Sequence, residues 1–200
     1  MIPAAFALLL CCGEQVAPPR EALPERASLE GMELTLPERG LLLRAAHAEL
    51  AEPAAGQASV VEAALGTPPG LSVRSARATW DLRGQTVVFE GEVEAVRGGF
   101  TLSCDRLEAR FDSPETLVSA TATGRVLLRQ GPRVATGERA LLDVPSGRIE
   151  LLGQPGITEG ARSLRGERVV LFLDDERLEC ERCTLTIAPA PDGPDAMAAP

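Results

Sequence analysis

A period of about thirty residues runs through this chain and constrains what it can fold into more than any other feature. A small residue, a second small or acidic residue and an arginine recur as Ser75-Ala76-Arg77, Cys104-Asp105-Arg106, Gly137-Glu138-Arg139 and Gly166-Glu167-Arg168. Ala45-Ala46-His47 is a degenerate fifth copy, and the basic positions lie 30, 29, 33 and 29 residues apart. An aspartate follows each triplet, at Asp81, Asp112, Asp143 and Asp174, always 31 residues after the last. Gly91, Gly124 and Gly153 form a third series, each closing an apolar run. A unit this short cannot bury an apolar face alone, so the units must stack on one another.

Within each unit the apolar residues alternate, which is the strand period. Before the arginines they fall on Leu71 and Val73, Phe100 and Leu102, and Leu164. After them they fall in the opposite parity, on Ala78, Trp80 and Leu82, on Leu107, Ala109 and Phe111, on Ala140, Leu142 and Val144, and on Val169, Leu171 and Leu173. A switch of parity without a break implies a bulge or corner at each arginine. The aspartates suit the first position of a tight turn, as in Asp81-Leu-Arg-Gly and Asp143-Val-Pro-Ser-Gly. No segment of the body shows a sustained helical period. The fold class is all-β, built from stacked antiparallel hairpin layers in about five repeats of 29–33 residues.

Composition removes several functions. Of the 200 residues, 29 are acidic and 20 basic, all of them arginine, and the net charge of -9 argues against a nucleic-acid partner. One histidine leaves little for histidine-based catalysis or metal binding, and one tryptophan with no tyrosine leaves few stacking platforms. Residues 1–12 hold an apolar run ending in Leu8-Leu9-Leu10-Cys11-Cys12, the length of a signal-peptide core and too short to span a bilayer. It reads as a bacterial lipoprotein signal with Cys11 or Cys12 as the lipidated residue. Residues 13–30, rich in proline, glutamate and alanine, read as a flexible linker, residues 31–188 as the β domain and residues 189–200 as a disordered tail.

The repeats resemble a family. Phe100-Thr-Leu-Ser-Cys-Asp-Arg-Leu-Glu-Ala, Ala122-Thr-Gly-Arg-Val-Leu-Leu and Ala135-Thr-Gly-Glu-Arg-Ala look like successive repeats of the OstA-like proteins of lipopolysaccharide transport, LptA and LptC. Gly153-Gln-Pro-Gly-Ile-Thr followed by Leu164-Arg-Gly-Glu-Arg-Val-Val-Leu leans toward LptA, and Leu34–Leu50 with Leu71–Val88 fits LptC as well. The resemblance implies an open β-jellyroll in the periplasm of a Gram-negative bacterium, anchored here through the N-terminal lipid. It implies a hydrophobic trough that binds the acyl chains of lipopolysaccharide or a similar lipid, and edge strands that pair with other jellyroll components of a trans-periplasmic bridge. On that reading the trough is lined by Val73, Val87, Phe89, Val93, Phe100 and Leu102, and further along by Val126, Leu128, Ile149, Leu151, Leu164 and Leu178. The alternative is an exported structural or adhesive repeat protein in which the same residues fill a core.

Other chemistry is sparse. Cys180-Glu-Arg-Cys183 has redox or zinc spacing but lacks a second pair. By the repeat, Cys180 takes the place of Leu151 and faces inward, while Cys104 takes that of Ser75 and Gly137. A disulfide is open to an exported chain, with its partners undetermined by sequence. The aspartates recur as turn residues do and form no acid–base pair. No nucleophile motif, phosphate loop or metal cluster stands out, so neither catalysis nor a cofactor is expected.

Overall fold

The computed structural model describes residues 27–36, 41–52, 55–65, 70–113, 116–173 and 177–188. All of the regular structure among them is β. The strands are β1 (Ala27–Leu36), β2 (Leu41–Glu52), β3 (Ala55–Leu65), β4 (Leu71–Asp81), β5 (Thr86–Arg97), β6 (Phe100–Ser113), β7 (Thr116–Gln130) and β8 (Arg133–Asp143). Shorter strands follow: β9 (Arg148–Leu152), β10 (Gly156–Glu159), β11 (Arg162–Arg165), β12 (Arg168–Phe172), β13 (Leu178–Glu181) and β14 (Thr184–Ile187). β1 begins inside the stretch expected to be linker. The leader with Cys11 and Cys12 and the tail at 189–200 lie outside the described residues.

From β1 to β8 each strand pairs antiparallel with the next. At β8 the sheet forks. Arg133–Thr136 pairs with β10, which continues through β11 to β14. Arg139–Asp143 pairs with β9, which continues through β12 to β13. The fork explains the short strands, since each consecutive pair of them is one chain pass broken in two. β9 and β10 are interrupted by Gly153–Pro155, β11 and β12 by Gly166–Glu167, β13 and β14 by Arg182–Cys183. Every pass therefore crosses a common crease, and the two halves of the sheet fold toward each other along it.

The arginine triplets form that crease, as the parity switch requires. In β4, Ser75 points in, Ala76 and Arg77 both point out, and Ala78 points in again; Cys104 to Leu107 repeats the pattern in β6. Two outward residues in succession let both halves of a strand bury their apolar face. The buried Ser75 hydroxyl donates to the Arg77 carbonyl across the corner (2.8 Å). The glycine series differs from expectation. Gly91 and Gly124 do not end strands: β5 and β7 continue through them. Gly124 (φ +77°) and Arg125 (φ +46°) together oppose Glu138 alone, a two-against-one bulge with a left-handed glycine first. A Cβ on Gly124 would also stand 2.8 Å from the Cβ of Asp105. Glycine is needed there by both backbone and neighbour.

At the turns Asp81 Oδ1 accepts from the amides of Arg83 (2.9 Å) and Gly84 (3.0 Å), and Asp143 Oδ1 from that of Ser146 (3.0 Å). Asp112 lies within β6, and Asp174 lies outside the described residues. One continuous apolar cluster fills the space between the two halves, with Trp80, Phe89, Leu107, Leu151 and Leu171 almost wholly covered.

Candidate functional site

The inward positions of the folded sheet enclose an apolar slot. One wall is the half beyond the crease in β5–β7, with Phe100, Leu102 and Leu128; the other carries Leu107, Leu142 and Ile149. Leu71, Leu173, Ala95, Ala120, Ala122 and Ala140 also line it. The cavity measures about 40 Å³, room for a few water molecules at the ~10–15 Å³ that each requires. In this conformation the walls are closed on each other.

The twelve sequence-derived trough residues divide accordingly. Phe100, Leu102, Leu128 and Ile149 border the slot. Val73, Val87, Phe89, Val93, Val126 and Leu151 are buried in the packing around it. Leu164 and Leu178 are half-buried and pack against the cluster at the C-terminal end. Leu102 is the half-buried member among the four that border the slot. Alternation identified the inward face but not the depth of each position. It passed over the lining alanines and Arg97, the slot's one charged neighbour among the described residues.

The repeated arginines do not face the slot. Arg106 bonds Glu90 across the outer surface, and Arg168 sits between Glu150 (2.5 Å) and Glu181 (2.7 Å); outside the series, Arg125 bonds Asp105 (2.5 Å). The Arg125 guanidinium holds the Asp105 carboxyl below the usual range, and Arg168 does the same to Glu150. Bonds to Glu150 and then Glu181 push Arg168 further up. These are cross-strand ion pairs of an outer face.

Cysteine chemistry is structural. Cys180 and Cys183 form a disulfide that spans the last corner, where β13 passes into β14. Cys180 faces the cluster opposite Val169, which is in turn opposite Leu151, as the repeat implied. A Cβ on Gly166 would lie 2.6 Å from Cys183 Sγ, so the bridge occupies the space that glycine vacates. Cys104 is a buried free thiol pushed up to about 11, by burial first and the Asp105 charge second, and is a poor nucleophile. Among the described residues no group of three or more His, Cys, Asp or Glu is placed to hold a metal, and no helix is long and apolar enough to cross a membrane.

Among the described residues both ends of the sheet are open: β1 pairs with β2 alone, and β14 pairs with β11 alone. Leu185 and Ile187 of β14 are 58% and 63% exposed. The Ala188 amide donates to the Ala161 carbonyl. Alternation along an antiparallel pair therefore turns the amides of Leu185 and Ile187 outward, away from β11.

The family model described as "LptA/(LptD N-terminal domain) LPS transport protein" matches residues 72–177, β4 to β12 and just over half of the chain. Among solved structures the chain is similar to LptH of Pseudomonas aeruginosa, described as the LptA homologous periplasmic component of the lipopolysaccharide transport device. The TM-score is 0.55 at 18% identity, over 60% of this chain and 95% of that one. No curated protein matches it by sequence.

Proposed function

The chain belongs to the LptA/LptD N-terminal-domain family of lipopolysaccharide transport proteins, and on that premise we propose that it is a periplasmic carrier whose folded sheet receives the acyl chains of lipopolysaccharide between its two halves. The observation that carries this reading is the apolar slot, lined in part by alanines, between the two halves of a creased sheet. Walls hinged on one line can part without breaking strand pairing on either side. Each methylene then lodged between them contributes about 0.8 kcal/mol, so a lipid with several chains is held with few polar contacts. We propose further that β1 and β14 join like-folded partners by strand addition, and that Cys11 or Cys12 carries a lipid anchor.

The closed state of the slot favours one competing reading, an exported structural repeat protein whose interior is permanently filled. A photo-crosslinking residue at Leu102 separates the two. Leu102 borders the slot, whereas Glu108 lies on the outer face, where it binds Arg110 (2.8 Å). A lipopolysaccharide adduct in cells is expected from position 102 and not from 108. Equal labelling at both, or none at 102 in a folded and exported protein, would favour the filled core.

A further inference from the structure

One polar group faces the wrong way for a mere core. Along the second half of β5 the inward positions are Val93 and Ala95, each 1% exposed, and the next inward position is Arg97. Arg97 ends the strand, opposite Phe100 across the Gly98-Gly99 turn, and borders the slot beside Phe100 and Leu102 with Leu142 and Leu173 on the facing wall. Its Nη1 is buried and has no hydrogen-bond partner among the described residues. Arginine does not give up its proton, and a buried donor left unpaired is costly. Elsewhere the chain avoids that cost: Arg106, Arg125 and Arg168 are all answered by carboxylates on the outer surface. At 97 no carboxylate shares the slot lining.

We propose that Arg97 is the headgroup contact of the slot. Its guanidinium pairs with the anionic head, phosphate or carboxylate, of an amphiphile whose acyl chain lies between the walls. The planar fork suits either head bidentately, and its place at the strand end sets the head near the outer limit of the slot and the chain inward. The inference rests on the carrier reading above and deepens it: the slot selects acylated anions over acylated neutral molecules.

Calorimetric titration of the full chain with dodecyl phosphate, dodecanoate and dodecyl maltoside, each below its micellar concentration, tests this. At least one of the charged amphiphiles should bind tenfold or more tightly than the maltoside, and the tighter of the two identifies the head. Arg97→Met should bring both within about twofold of the maltoside and leave maltoside binding unchanged. Arg97→Lys should keep part of the preference. The lipid-free Arg97→Met protein should melt no lower than the parent, because it loses a buried, unpaired donor. Equal affinities in the parent, full preference surviving in Arg97→Met, or a lowered melting temperature in that variant would each overturn the assignment while leaving the carrier reading intact. Failure of all three amphiphiles to bind would instead remove the carrier reading, and this inference with it.

Discussion

Leu102→Ala and Leu151→Ala remove the same three carbons from two inward positions, and the carrier reading requires opposite outcomes. Leu151 is fully covered, paired with Ala140 on one side and Val169 on the other, and does not border the slot. Its truncation leaves a cavity in close packing and should cost about 2–5 kcal/mol. At about 2–4 °C per kcal/mol for a domain of this size, melting should fall by roughly 4–20 °C. Leu102 is half-buried, paired with Ala95 and Leu128, with one flank on the slot. With roughly two-thirds or more of its area covered, its truncation should cost about 1.5–2 kcal/mol, or roughly 3–8 °C. Bound to an acyl chain, however, Leu102 would bury its free flank. Of the roughly 2.4 kcal/mol that three carbons carry at about 0.8 kcal/mol each, the uncovered third or less leaves an upper limit near 0.8 kcal/mol, about fourfold in affinity. Thermal melts of lipid-free protein and titration with dodecyl maltoside give the two readouts. Leu151→Ala should lose stability while its affinity, corrected for the melted fraction, is unchanged. Leu102→Ala should lose about two- to fourfold in affinity with a smaller change in melting than Leu151→Ala. If Leu102→Ala falls by as much as Leu151→Ala in melting and binds as the parent does, the slot is ordinary core and the reasoning fails.

Three further outcomes follow from the edges, the outer face and the leader. Leu185→Pro deletes an amide that faces away from β11, so it should weaken self-association or partner binding in sedimentation with little loss of stability; an unchanged association constant would count against strand addition. The Glu150 carboxyl is held low by Arg168, so its stabilising effect is full above the ordinary carboxylate pKa and is lost as pH falls through the lowered value. Urea midpoints should therefore decline below about pH 4.5, and Glu150→Gln should cost about 1–2 kcal/mol at neutral pH with a flatter acid limb; an equally steep limb would refute the assignment. Cells fed radioactive fatty acid should label the parent chain and not the double Cys11→Ser, Cys12→Ser variant, and label retained in the variant would exclude these residues as the anchor.

Strand parity was legible because it is local. The inward alternation on either side of Arg77, Arg106, Arg139 and Arg168 needs no knowledge of partners, and the two outward residues at each corner are visible as a slipped period. What the crease does to the intervening passes was not legible. Gly91 and Gly124 punctuate apolar runs, and a glycine in a strand pattern marks a bend as readily as an end. Only the pairing decides: Asp105 stands against Gly124, and the strand continues because β6 and β8 hold both halves in register. Near the C-terminus fewer neighbours flank each pass, the same corners open into breaks, and the sheet forks. The pairing of Cys180 with Cys183 also depends on this, since their short spacing becomes a bridge only because a corner folds between them.

The slot follows from the same geometry. A sheet that is creased on every pass carries its inward residues on two walls whose separation grows away from the crease. Close to the crease, Phe89 and Leu151 are wholly covered. Farther out, Ala95 and Ala120 stand among the larger Phe100, Leu102, Leu128 and Ile149, and a cavity remains that side chains neither fill nor leave wide. A repeat selected only to fill its core would place larger residues there, because burial stabilises in proportion to area and voids cost dispersion contacts. The alternation that builds the strands accounts for which residues are apolar. It does not account for the alanines among the larger outer residues, nor for an arginine beside them. Both are what a pair of walls needs if it is to part around a chain with a charged end.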